Sequence, residues 1–329
     1  MESVTKTRIS PETVEILAQR AFPGCVLTQV RELTEGMFNT AYRITGSGIP
    51  ENGVILKAGP SAGTKVLTYE KDILKTEVAV YRLLEQTKVP APRVLFADYS
   101  RECIPCDYFV MTCIPGILWK NADEALLRAS RPSLMEELGR INREIHSVVG
   151  THYGYIKEDP GFQYDSWPDA FGGMVRDICE DGRKDGLTLP YDRILELVSI
   201  HSARLEEVTV PRLVDFDLWA GNVLLGQDEN GYKINGIIDF ERAFFGDSLG
   251  DFISAVMIYD HVEVESDFIR GYGSTIVMDE SARIRMDLYR LYLALIMYVE
   301  TYRYEEAYAD QTKGWLSEMI GELMARLSA

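Results

Sequence analysis

Apolar positions along the first hundred residues switch repeatedly between helical and strand periods. Ser10-Pro11 supplies a cap followed by proline at the first helical position, which predicts a helix to about residue 20. β-Branched and aromatic residues then predict strands over 26–30, 40–44 and 54–58, the last two separated by a glycine-rich turn at 46–53. Ile73, Leu74, Val78, Tyr81 and Leu84 lie at helical spacing within residues 70–87, a pattern that stops before Pro90. Two further strands are predicted over 94–97 and 108–114. After Gly116 the pattern becomes helical, with periodic stretches over 134–149, 167–180, 194–208, 249–259, 282–304 and 312–327. The exception is a pair of short apolar runs, 223–225 and 234–238, joined across Asn230-Gly231, a strong hairpin signal. The expected fold class is α+β in two lobes. Residues 1–115 form a small antiparallel sheet with one inserted helix, and residues 116–329 form a larger, mainly helical lobe.

Composition narrows the function classes. The 329 residues, 46% hydrophobic and 26% charged, are too many for one small core. Five cysteines, with a lone Cys103–Cys106 pair and no companion His, give neither a disulfide framework nor a zinc site. Four histidines leave little room for a His-based metal or hydrolase centre. The net charge of −17 is uneven: residues 1–100 hold 11 acids against 12 Lys/Arg, and residues 241–329 hold 16 against 8. That sign argues against a nucleic-acid partner. It suits a solvated acidic surface or attraction for a small cation. No apolar run approaches the roughly 20 residues that span a bilayer, and the first residues lack the apolar core of a signal peptide. The expectation is a cytoplasmic protein with no membrane partner, monomeric or homodimeric.

The chemistry concentrates between residues 215 and 241. Asp215-Phe216-Asp217-Leu218-Trp219-Ala220-Gly221-Asn222 is followed, one hairpin later, by Ile237-Ile238-Asp239-Phe240-Glu241. Any one of these polar residues is ordinary turn chemistry. Together, an acid, an Asn five residues on and a second acid at a strand end are the groups that hold a metal–triphosphate and aim a hydroxyl. Lys57 ends the apolar run Val54-Ile55-Leu56, where an ammonium is costly unless paired, and Glu77 on the next helix is its candidate partner. Residues 33–40, with Gly36 as their single glycine, join two strands one hairpin before Lys57, where a nucleotide-covering loop belongs. Asp247 and Asp251 read as helix-cap residues, Asp251 also as a brace for the 215–222 loop, and His146 as a packed or capping residue.

With these pieces in order, the chain resembles the aminoglycoside phosphotransferase family, relatives of choline kinases within the protein-kinase-like fold, from about residue 25 to 325. Three blocks carry the resemblance: residues 216–225, residues 236–243 and Gly246-Asp247-Ser248-Leu249-Gly250-Asp251-Phe252. It implies ATP (or GTP) and Mg²⁺ as cofactors, with Asp217 as catalytic carboxylate and Asn222 and Asp239 as metal ligands. It also implies Lys57 on the α/β phosphates, steadied by Glu77, and a nucleotide-positioning loop containing Gly36, Asn39 and Thr40. Thr112 and Ile114 would meet adenine through their backbones. Asp215 stands where the family has His, and either braces the loop or, like Glu241, contacts substrate. The acceptor implied is a hydroxyl of a small molecule, such as an amino sugar, amino alcohol, methylthioribose-like sugar, homoserine or macrolide. The short link after Glu241 argues against a protein acceptor. The alternative is a nucleotide-binding regulator that transfers nothing.

Overall fold

A computed structural model describes residues 5–34, 36, 38–229, 231–254, 266–273 and 277–329. Glu35 and Met37 of the expected nucleotide loop, Asn230 of the hairpin and residues 255–259 of the helix expected over 249–259 lie outside the described residues.

The first lobe begins with α1 (Pro11–Ala21), whose N-cap Ser10 accepts from the Thr13 amide at 3.2 Å. Strands β1 (Val26–Leu33), β2 (Thr40–Ser47) and β3 (Val54–Ala58) precede α2 (Ile73–Leu84), and β4 (Val94–Asp98) and β5 (Tyr108–Thr112) follow it. They form one antiparallel five-stranded sheet in the order β1-β2-β3-β5-β4. Side chains alternate across a strand. Val54, Leu56, Ala58, Tyr108 and Val110 therefore join Val14 and Leu17 of α1 in one core. Phe109 and Met111 face the other way, with Leu74, Val78 and Tyr81 of α2. Lys57 pairs with Phe109 in register, so the same alternation delivers its ammonium to the α2 side.

The helix expected from residue 70 starts at Ile73. Thr68–Glu70 form a single 3-10 turn, and Asp72 takes a left-handed φ of 56°. The strap this creates, residues 65–71, is pinned to the second lobe. The Thr68 amide and hydroxyl donate to the two Asp181 oxygens at 2.6 and 2.9 Å, and Lys65 pairs with Asp185 at 2.5 Å. Lys157 donates to the Tyr69 and Lys71 carbonyls, and Glu70 pairs with Arg303.

The second lobe runs β6 (Ile117–Leu118), α3 (Glu124–Ile145), β7 (Gly154–Tyr155), α4 (Trp167–Lys184), α5 (Tyr191–Ile200), α6 (Ser202–Leu205), β8 (Arg212–Val214), β9 (Val223–Asp228), β10 (Gly231–Ile237), β11 (Phe244–Gly246), α7 (Leu249–Ser254), α8 (Ser266–Tyr272), α9 (Glu280–Val299) and α10 (Glu306–Ser328). Its centre is α9, whose buried Tyr289 and Tyr292 pack on Phe171 of α4; Tyr289 also accepts from the Trp167 indole at 2.8 Å. Helices α3 and α8 touch backbone to backbone. A Cβ on Gly139 would come within 2.2 Å of the Phe268 carbonyl, and one on Gly271 within 1.9 Å of the Glu136 carbonyl, so only glycine permits this approach.

Several boundaries differ from the periodicity. Helix α3 starts ten residues before 134 because Asp123 caps it, accepting from the Leu126 amide at 2.9 Å, and Pro132 is accommodated within it. The helix expected over 194–208 is broken at His201 into α5 and α6. Helix α8 and the short strands β6, β7, β8 and β11 had no periodic signal. β6 adds to the β9–β10 hairpin, and β7-β11-β8 form a second small sheet.

Candidate active site

The loop of residues 215–222 enters from β8 and leaves into β9, held from behind by one residue. Asp251, fully buried, accepts from the Phe216 amide at 2.7 Å and the Asp215 amide at 3.2 Å. It also accepts from Asn142 at 3.0 Å and His146 Nε2 at 2.9 Å. A carboxylate only accepts, so His146 donates to it from Nε2, and the Tyr272 hydroxyl lies 2.8 Å from His146 Nδ1. Both residues are thus braces. Phe216 takes φ 60° and packs its ring, tilted, against Phe244 and Tyr292, which turns Asp217 out of the core. Gly221 follows because a Cβ there would meet the Trp219 ring at 2.3 Å.

Asp217 is held through both oxygens. Oδ2 accepts from Asn222 Nδ2 at 2.9 Å and Oδ1 from Arg242 Nη1 at 3.0 Å. Its side chain keeps 16% of its surface exposed. Burial pushes its carboxyl up to about 7, against the pull of Arg242. Asn222 spends only its amide nitrogen here, leaving Oδ1 as a hard donor, and its backbone carbonyl accepts from the Ile238 amide at 2.9 Å, tying the loop to the strand end that carries Asp239.

Lys57 comes from the other lobe. Its ammonium lies 2.7 Å from Glu77, 2.5 Å from Asp239 and 3.3 Å from Glu241. Burial opposes its charge, but the three carboxylates outweigh it and hold Lys57 well above the usual lysine range. One cation does not neutralise three acids. Glu77 is pushed up to about 7 by burial, against Lys57, and Glu241 well above the carboxylate range by burial and then by Asp239. Tyr81 links the parts, donating to Glu77 at 3.0 Å and accepting from the Asp239 amide at 3.0 Å. Ligand oxygens of Glu77, Asp239 and Glu241 lie within 4.8 Å of one another. Excess negative charge on hard oxygens fits a divalent cation such as Mg²⁺.

The remaining expected residues divide. Asn39 is in the cluster, donating to Glu241 at 2.6 Å. Gly36 lies in the same β1–β2 connection, but the Thr40 hydroxyl is turned away, onto the Thr7 carbonyl at 2.9 Å. The Thr112 amide is committed to the Arg93 carbonyl at 2.9 Å, so that N–H does not reach a base. Ile114 lies just beyond β5, against Gly236. Glu241 sits on the Lys57 and Asn39 side rather than apart from it. Asp215 does not reach the cleft: it is 0% exposed, so it is not a substrate contact, and the loop is braced by Asp251 instead.

Both Asp215 oxygens lack a hydrogen-bond partner among the described residues. Burial first, then Asp251 and Asp217, push its carboxyl well above its ordinary value of 3.8. The folded chain therefore keeps a proton that the unfolded chain releases, so this group's contribution to stability falls as pH rises above 3.8. Asp215→Asn removes that dependence. Melting curves between pH 5 and 8 are expected to show the variant gaining on wild type as pH rises, by up to about 1.4 kcal/mol per pH unit. Parallel curves would refute a neutral Asp215.

Periodicity and motif spacing missed Arg242, Glu300, Tyr69, Glu70 and Arg303. Arg242 Nη2 reaches both Glu300 oxygens at 2.9 and 3.1 Å, Tyr69 donates to Glu300, and the Arg303 guanidinium lies 5.1 Å over the Phe38 ring. A signal existed: Glu300 and Arg303 follow the apolar run Leu291–Val299, where charges survive only in pairs.

With this geometry established, the known relatives are informative. A family model described as the phosphotransferase enzyme family matches residues 29–286. Among solved structures, a candidate aminoglycoside phosphotransferase from Ralstonia eutropha superposes with a TM-score of 0.65 at 14% identity, covering 98% of this chain and 99% of that one. A candidate fructosamine-3-kinase from Thermobifida fusca gives 0.67 at 16% identity, covering 94% and 98%. A thermostable variant of the aminoglycoside phosphotransferase APH(4)-Ia, in ternary complex with ADP and hygromycin B, gives 0.66 at 17% identity, covering 96% and 99%. At these identities the likeness shows a shared fold, the bilobal protein-kinase-like one. No curated protein matches the chain by sequence. No helix among the described residues is long and apolar enough to cross a membrane.

Proposed function

The chain belongs to the phosphotransferase enzyme family, and from that premise we propose that it moves the γ-phosphate of ATP to a hydroxyl of a small molecule. One observation carries the reading. Residues far apart in sequence, Lys57, Glu77, Asn39, Asp217, Asn222, Asp239 and Glu241, meet in one cleft with the charges this chemistry needs. Residues 1–115 serve as the nucleotide lobe and hinge, and residues 116–329 as the lobe that takes the acceptor. Neighbouring structures that hold ADP, AMP-PNP and hygromycin B support a nucleotide and a small hydroxylated acceptor. A cytoplasmic setting accords with a need for ATP.

Asn222 and Asp239 would hold Mg²⁺, with Glu241 within reach. When bound, the ion gathers the phosphate oxygens and offsets their charge. Lys57, steadied by Glu77, would pair with the same phosphates, and Asn39 fixes the orientation of Glu241. Asp217 aims the acceptor. The hydroxyl oxygen of the acceptor forms the new bond to the γ-phosphorus as the bond from that phosphorus to the bridging oxygen breaks. ADP leaves with the electron pair, and the hydroxyl proton passes to Asp217.

The test is ADP formation from Mg·ATP with a panel of amino sugars, amino alcohols, fructosamines and neutral sugars, with phosphorylated product identified by mass. Product from at least one acceptor is expected. Tight Mg·ATP binding with no product from any of them would instead favour a nucleotide-binding regulator.

A further inference from the structure

Asp217 is useful only if its carboxylate points one way. Asn222 fixes one oxygen; the other rests on Arg242 alone among the described residues. Arg242 is itself immobilised. Its second terminal nitrogen grips both Glu300 oxygens, and Glu300, 4% exposed, is fixed in turn by the Tyr69 hydroxyl and flanked by Arg303 at 3.7 Å. A forked guanidinium is needed for this arrangement. One arm serves Asp217 and the other Glu300, which a single ammonium on a lysine stem does not reproduce. Asp239 lies close enough to repel the Asp217 charge, while Arg242 is the cation that favours it.

We propose that Arg242 is a positioning residue for the transfer reaction, holding Asp217 Oδ1 toward the acceptor, and that Glu300 acts through it as its anchor. The proposal rests on the reading of Asp217 as the carboxylate that aims the hydroxyl. It involves no contact of Arg242 with either substrate.

The experiment measures ADP formation from Mg·ATP, with water as acceptor and again with each alcohol of the panel, for wild type, Asp217→Asn, Arg242→Lys, Arg242→Gln, Glu300→Gln and Arg242→Gln/Glu300→Gln. The double variant removes both charges of the buried pair at once and so guards against a single variant that fails to fold. Misplacing the carboxylate by about 1 Å is expected to lower kcat about 100-fold in Arg242→Gln. Mg·ADP affinity by calorimetry should stay within about threefold of wild type, since the nucleotide-side residues are untouched. Arg242→Lys should recover at most about a tenth of the wild-type rate. The double variant should be no slower than Arg242→Gln alone, because the hydrogen bonds that link Glu300 to Asp217 all run through Arg242. Wild-type kcat in Arg242→Gln beside an inactive Asp217→Asn overturns the inference and leaves the reading of Asp217 standing. So do losses from Arg242→Gln and Glu300→Gln that simply add. Equal turnover by wild type and Asp217→Asn overturns both.

Discussion

Asp217→Asn is expected to lose at least about a thousandfold in phosphoryl transfer, roughly 4 kcal/mol of transition-state stabilisation, while still binding Mg·ADP. The substitution is isosteric, and the side-chain oxygen that remains can still accept from Arg242 or Asn222. What disappears is the proton acceptor and the charge that aligns the hydroxyl. Nucleotide affinity should persist because Lys57, Glu77 and Asp239 lie outside the substitution. The wild-type pH profile supplies a second check. Burial holds the Asp217 carboxyl near 7, and only the ionised form takes a proton, so transfer should rise as pH passes upward through about 7. Activity of Asp217→Asn within about tenfold of wild type, a loss of only ~1.4 kcal/mol, would remove Asp217 from this role.

Asp251→Ala is expected to be the most destabilising single change around the site, by about 3–5 kcal/mol in urea unfolding. Four donors converge on this one carboxylate: the Asp215 and Phe216 amides, Asn142 and His146. Alanine leaves all four buried and unsatisfied, and each unmade bond costs about 1–3 kcal/mol before relaxation. A protein of this kind has only some 5–15 kcal/mol to lose. Phe216 holds its left-handed backbone against that carboxylate, so the loop carrying Asp217 should slacken too and transfer fall with stability. A loss below about 1 kcal/mol would mean the bracing lies elsewhere.

The parts of the site legible in the sequence were those whose chemistry is local. Asp217, Asn222 and Asp239 announce themselves by spacing across one hairpin, and Lys57 by an ammonium in an apolar strand. The sheet and α2 followed from periodicity, and the strand register then set which face Lys57 occupies. What escaped is long-range. Arg242 meets Glu300 across 58 residues, and Tyr69 meets Glu300 across 231, separations that no local pattern encodes. The sequence left Asp215 open between brace and substrate contact for the same reason, since its burial depends on elements on every side. Strands of two or three residues such as β6 and β11 are too short to show a period, and proline inside α3 hid the start of a helix that a cap made viable.

The strap at residues 65–71 changes what kind of machine the two lobes form. A single flexible joint lets two bodies swing against little resistance. Here the first lobe is also stitched to the second through Thr68, Lys65, Glu70 and the Lys157 contacts to the strap carbonyls. The stitches differ in strength: the exposed Lys65 pair contributes least, and the buried Glu70–Arg303 pair is the costliest to break. They share one short segment, however, so parting the lobes there means breaking all of them. Opening of the cleft at the strap is then opposed by several contacts together, a fastening that resembles a snap fastener more than a hinge.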